Sequence, residues 1–159
     1  MEDRSFEIKY CHCKYDELDQ TARKLINTAK EATNGSYSPY SGFSVGAAVL
    51  LQDGTVVTGS NQENASYPSG LCAERVALFS AGSAFPDKAV TAIAIAARTK
   101  GSFTNIPVTP CGACRQVIAE VASRYGCRIR IILFGTDYCL DFTDGATDLL
   151  PFSFGAEYL

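Results

Sequence analysis

Apolar residues recur at helical spacing between Tyr15 and about Thr33, at Leu18, Ala22, Leu25, Ile26 and Ala29. That stripe predicts an amphipathic helix, stopped by Asn34-Gly35. The next segment, SYSPYSGF at 36–43, is rich in Ser, Pro and Gly and reads as a loop. SVGAAVLLQDGTVVTGSN then breaks at Asp53-Gly54, where glycine tolerates positive φ, so two strands joined as a hairpin are expected. A second helix is expected from near Cys72 through Arg75, Val76 and Phe79 to about Ala81. AVTAIAIAAR at 89–98 is short and nearly all apolar, the pattern of a strand covered on both faces. After Pro110, the residues Cys114, Val117, Ile118, Val121, Ala122 and Tyr125 form a third helical stripe. CRIRIILF (127–134) and YCLDF (138–142) read as two further strands. The order α-β-β-α-β-α-β-β predicts an α/β fold, a three-layer sandwich with a mixed central sheet of about five strands and helices on both faces. Residues 1–14 hold no lasting period and read as an N-terminal extension to one domain over 15–159.

Composition narrows the class. Hydrophobic residues make up 47% and charged residues 19% of the 159, ordinary for a globular domain. The net charge is −3 with no Lys/Arg run, which disfavours a nucleic-acid partner because phosphate binding draws on basic residues. No run of about 18 apolar residues suggests a membrane span. The segment MEDRSFEIKYCHCKYDELDQ is charged and lacks an apolar stretch, so no signal peptide is expected. A cytoplasmic, reducing setting follows, in which the seven cysteines stay thiols. They are then core fillers, metal ligands or reactive groups.

Two cysteine clusters carry candidate chemistry. In TPCGACRQV (109–117), Cys111 and Cys114 stand three apart at a helix start, so both sulfurs can reach one ion. Taken alone, the pair fits a core or redox Cys-x-x-Cys equally well. Cys72, in GLCAERVALF (70–79), lies at another predicted helix start and supplies a third thiolate. Three protein ligands leave a position for water, the mark of a catalytic rather than a structural zinc site. Glu74 then suits proton transfer, although a first-turn acid also complements a helix dipole without any catalysis. Residues i and i+2 diverge by roughly 200° on a helix. Cys72 and Glu74 can therefore share a site only if Cys72 precedes the helix proper. Arg75 would offset surplus thiolate charge, its alternative being a surface arginine.

The pattern Cys-Ala-Glu-Arg followed by Pro-Cys-Gly-Ala-Cys-Arg-Gln-Val resembles the zinc-dependent cytidine deaminases that act on free nucleosides. The resemblance begins at YSPYSGFSVGAAVL, continues through NQENASYPSGLCAER and TPCGACRQV, and ends at LLPFSFGAEYL. It implies Zn²⁺ held by Cys72, Cys111 and Cys114, one ion per subunit, with Glu74 as the proton shuttle. It further implies that Phe43 walls the pyrimidine and that Asn61 and Glu63 bind ribose hydroxyls. The backbones of Ala65, Ala73 and Thr109-Pro110 would contact the base. A homotetramer is implied too, with Phe154 reaching toward a neighbour's site. The implied reaction is hydrolytic deamination of cytidine or deoxycytidine to uridine or deoxyuridine plus ammonia.

Rival readings come from the same residues. An enzyme acting on another aminopyrimidine nucleoside, such as blasticidin S, shares both cysteine motifs, but Asn61 with Glu63 favours a ribose. A nucleic-acid editing deaminase fits the acidic charge poorly. A non-catalytic zinc module would need a closed fourth ligand, and the only histidine, His12, is remote. Cys11-His12-Cys13 departs from the family pattern; three ligand types on an unstructured segment could form a second metal-binding tract, but read better as incidental surface.

Overall fold

The computed structural model describes residues 1–159. A single sheet forms the middle layer. Its strands are β1 (Cys11–Cys13), β2 (Phe43–Leu51), β3 (Val56–Ser60), β4 (Val90–Thr99), β5 (Ser102–Phe103), β6 (Arg130–Phe134) and β7 (Cys139–Phe142). The spatial order is β1-β7-β6-β4-β2-β3, with β5 folding back on β4. Only β4 and β6 run parallel; the remaining pairs are antiparallel. The sheet is therefore mixed, as expected, and has seven strands rather than about five. The additions are the very short β1 and β5, which carry too few residues to show a period.

Four helices flank the sheet: α1 (Gln20–Ala32), α2 (Ala73–Ala84), α3 (Gly112–Tyr125) and α4 (Gly145–Leu149). On one face, Leu18, Ala22, Leu25, Ile26 and Ala29 pack against Ala48, Ala92, Ala94, Ala96 and Ile132. On the other, α2, α3 and α4 cover Ala47, Val49, Leu51, Ile93, Ile95, Ile131 and Leu133. Strand β4 thus sends alanines toward α1 and isoleucines toward α2 and α3, which explains why its sequence shows no polar alternation. Each isoleucine so buried contributes about 1.5–3 kcal/mol. The alanine side lets α1 approach closely, and Gly46 completes that approach, since a Cβ there would meet the Ala29 carbonyl.

The first helix starts later than its apolar stripe suggests. Tyr15–Glu17 forms a single 3-10 turn, and Asp19 then caps α1 by accepting the Ala22 N–H at 2.8 Å. Asp53-Gly54 makes the expected hairpin turn, with Gly54 at φ +89°. Strand β1 lies where no sequence period existed. It adds to the free edge of β7 with Cys11 opposite Asp141, His12 opposite Leu140 and Cys13 opposite Cys139. His12 stacks on Tyr138 and Tyr10 on Phe142, so the CHC tract is part of the sheet. No helix is long and apolar enough to cross a membrane.

Candidate metal centre and nucleoside pocket

Two helix N-termini meet at one point. Cys72 is the N-cap of α2 with φ −72° and ψ 154°, and Cys111 is the N-cap of α3 with φ −67° and ψ 167°. Both are extended, outside the helical turn. That resolves the angular conflict between Cys72 and Glu74. Pro110 disfavours helical geometry at the residue before it, Thr109, so α3 cannot extend back beyond the Cys111 cap. Cys114 then sits at N3, and its Sγ lies 3.5 Å from that of Cys111, the reach by which capping boxes join N-cap to N3. Cys72 Sγ is 3.8 Å from Cys111 Sγ. All three sulfurs fall within 4.8 Å of one another.

The electrostatics suit thiolates. Hydrogen bonding from the Cys114 thiol, with help from Arg75 and Cys111, pulls the Cys72 thiol down to about 5 against the opposing effect of burial. The Cys114 thiol is pushed upward, by its hydrogen bond to Cys72 first and by burial second. Arg75 places Nη2 at 3.9 Å from Cys72 Sγ and 3.5 Å from the Gly70 carbonyl, while its Nε is buried without a partner. The Ala73 amide, at the first position of α2, has no acceptor within the helix. Three soft donors converging on one point beside an arginine fit a single zinc ion.

A cavity of about 830 Å³ opens beside the sulfurs, within the usual size range of small-molecule sites. Phe43, Asn61, Glu63, Cys72, Glu74, Arg75, Thr109 and Cys111 all line it. Glu74 is 4% exposed, and burial raises its carboxyl pKa, with the Cys72 charge adding to the effect. Asn61 is largely committed to the protein. Its Oδ1 accepts from the Val45 N–H at 2.7 Å and the Ser36 hydroxyl at 2.6 Å, and its Nδ2 donates to the Phe43 carbonyl at 2.9 Å. One amide N–H remains for a ligand. Glu63 accepts from the Tyr40 N–H at 2.9 Å and the Ser41 N–H at 3.3 Å, and also from the Ser41 hydroxyl. Those bonds, led by the Ser41 hydroxyl, lower its carboxyl pKa.

The remaining candidates stand elsewhere. Ala73 and Cys114 are fully buried behind the cavity wall. Ala65 is exposed in the turn after Glu63, and Pro110 is buried. Phe154 lies on the C-terminal tail, 59% exposed. There it stacks on Tyr158 and its carbonyl accepts from Gln116 at 2.7 Å. Tyr40, Ser41, Gln62 and Tyr67 line the cavity and were not singled out in the sequence. The signal for the first two was the turn-rich loop directly before Phe43.

The sequence family described as the cytidine and deoxycytidylate deaminase zinc-binding region matches residues 19–126. That span holds all three cysteines and Glu74. The chain belongs to this family. Among relatives of this zinc-dependent deaminase family member, the cytidine deaminase of Halalkalibacterium halodurans is 55% identical over 97 residues, 61% of this chain and 69% of that one. The cytidine deaminase of Sporosarcina psychrophila is 50% identical over the same length, 67% of its own chain. Among solved structures, the cytidine deaminase from Burkholderia pseudomallei superposes with a TM-score of 0.70 at 41% identity. The match covers 86% of this chain and 100% of the other. The Mycobacterium tuberculosis enzyme gives 0.66 at 35% identity, over 86% and 99%.

Proposed function

We propose that the chain hydrolyses cytidine and deoxycytidine to uridine and deoxyuridine with release of ammonia, a step of pyrimidine salvage. The reading is supported above all by one observation: Cys72, Cys111, Glu74 and Phe43 face a single nucleoside-sized cavity. Zinc, held by Cys72, Cys111 and Cys114, supplies Lewis acidity for activating water. Glu74 handles the protons. It takes one from the attacking water and gives it to N3 of the cytosine, then takes the second water proton from the new C4 hydroxyl and delivers it to the departing amine. Burial raises its carboxyl pKa, which favours a group able to hold a proton before passing it on. Phe43 walls the pyrimidine, while the free Asn61 N–H and the Glu63 carboxylate engage ribose hydroxyls. The backbones of Ala65, Ala73 and Thr109-Pro110 contact the base, and Arg75 offsets thiolate charge.

The same reading makes 1–14 an extension and 15–159 one catalytic domain, cytoplasmic and assembled as a homotetramer in which Phe154 approaches a neighbour's site. The test is ammonia release from cytidine, deoxycytidine, cytosine and blasticidin S, with zinc content measured beside it. Turnover of the first two is expected. Glu74→Ala should keep its zinc and lose about 10²–10⁴-fold in kcat. Zinc-loaded protein inert on all four compounds would sink the enzyme reading.

A further inference from the structure

We propose that Ser41 is a positioning residue of the nucleoside pocket: its hydroxyl, aimed by the Phe43 amide, holds the Glu63 carboxylate in place for the sugar. The inference rests on the reading above that Glu63 takes a ribose hydroxyl. The Ser41 Oγ makes two bonds of opposite sense. It accepts the Phe43 N–H at 3.0 Å and donates its own proton to Glu63 Oε1. With one lone pair occupied by that amide, the hydroxyl proton is directed at the carboxylate. The backbone geometry is set by Gly42, whose φ of +63° turns the chain so that the Phe43 N–H points back at Ser41. Glu63 Oε2 meanwhile takes the Tyr40 and Ser41 amides.

A carboxylate offers about four acceptor positions. Three are taken by the loop, and the one left over serves the cavity that Glu63 lines. The charge-assisted bond from Ser41 is the only tie on Oε1, so its loss leaves the carboxylate held by the two amides on Oε2 alone and loosens its aim. Asn61 needs no such helper, being fixed by three bonds of its own. Ser41 therefore acts on binding rather than on proton transfer, and on the sugar rather than on the base.

The test compares Ser41→Ala, Ser41→Thr and Glu63→Gln on cytidine and on 2′,3′-dideoxycytidine, which lacks the 2′- and 3′-hydroxyls. Ser41→Ala should raise KM for cytidine about tenfold with kcat within about twofold, and leave the dideoxynucleoside's KM or Ki unchanged. Ser41→Thr, which keeps the hydroxyl, should restore the cytidine KM. Ser41→Ala added to Glu63→Gln should cost nothing further. Unchanged cytidine KM in Ser41→Ala, or an equal rise for both nucleosides, overturns the role of Ser41. If Glu63→Gln itself leaves the cytidine KM intact, the assignment of Glu63 to the sugar fails instead, and with it the inference.

Discussion

Gly59 in β3 tests how the metal centre is held. A Cβ built there would lie 2.5 Å from the Ala73 carbonyl oxygen and closer still to the Ala77 nitrogen. Ordinary carbon contacts sit at about 3.5–4.0 Å, so Gly59→Ala must lift the first turn of α2 from the sheet by roughly 1 Å. The obstructing atoms are backbone and cannot rotate away. Overpacking of this kind costs about 1–3 kcal/mol. For a chain of this length the upper part of that range lowers Tm by about 5–10 °C. Function should suffer more, because Ala73 lies between Cys72 and Glu74, and misplacement by about 1 Å costs on the order of 10²-fold in rate. Gly82 is the control. A Cβ there meets only Arg124 Nη1 at 3.6 Å, so Gly82→Ala, on the same helix, should gain about 0.5–1 kcal/mol. Thermal melting, zinc content and kcat on cytidine decide the matter. A Gly59→Ala protein with wild-type Tm and kcat would refute the claim that β3 fixes the height of α2.

Other expectations concern acid, metal and the N-terminal strand. The Asp19 pKa is lowered by the Ala22 amide first and Arg130 second. Its stabilisation is therefore present above the unfolded carboxyl value of about 3.9 and fades as pH falls through the lower folded value. Asp19→Ala should cost about 1 kcal/mol at neutral pH, the exposed Arg130 pair adding little. Its Tm gap to wild type should shrink below about pH 4; a gap independent of pH would remove the cap from the account. Chelating the zinc should lower Tm by about 10 °C, reversibly on adding zinc back, since ligand binding at a thousandfold over Kd is worth about 4 kcal/mol. An unchanged melt would show that the ion does not tie α2 to α3. Deleting residues 1–14 should leave kcat/KM for cytidine within about twofold, because none of them lines the cavity. It should also cause concentration-dependent association through the bared β7 edge, visible by light scattering. A monodisperse deletion variant with wild-type Tm would show β1 to be dispensable.

The parts legible in the sequence were those carried by local repetition. Ala22, Leu25, Ile26 and Ala29 announced α1, and Ile118 and Val121 announced α3, because one face of each is buried. The convergence of Cys72 on Cys111 and Cys114 was legible from three cysteines at two helix starts. What escaped depended on partners distant in the chain. The three residues of β1 become a strand only because β7 has an open edge. Helix α1 starts only after Leu18 because the Asp19 carboxylate finds the Ala22 amide. Ser41 gave no sign of its own, since its bond to Glu63 spans 22 residues and no spacing rule links a loop serine to a carboxylate beyond a hairpin.

The β1–β7 pair also has a history in time. β1 lies ahead of every other element in the chain, whereas β7 follows all the other strands. A chain growing on the ribosome therefore releases its edge strand first and the partner near the end. Until β7 emerges, residues 11–13 have nothing to pair with, and closing so long a loop carries the greatest entropic cost of any strand pair here. The exposed interval falls after β6 has docked, when its outer edge still lacks both β7 and β1. The strand that is made first is thus the last to dock.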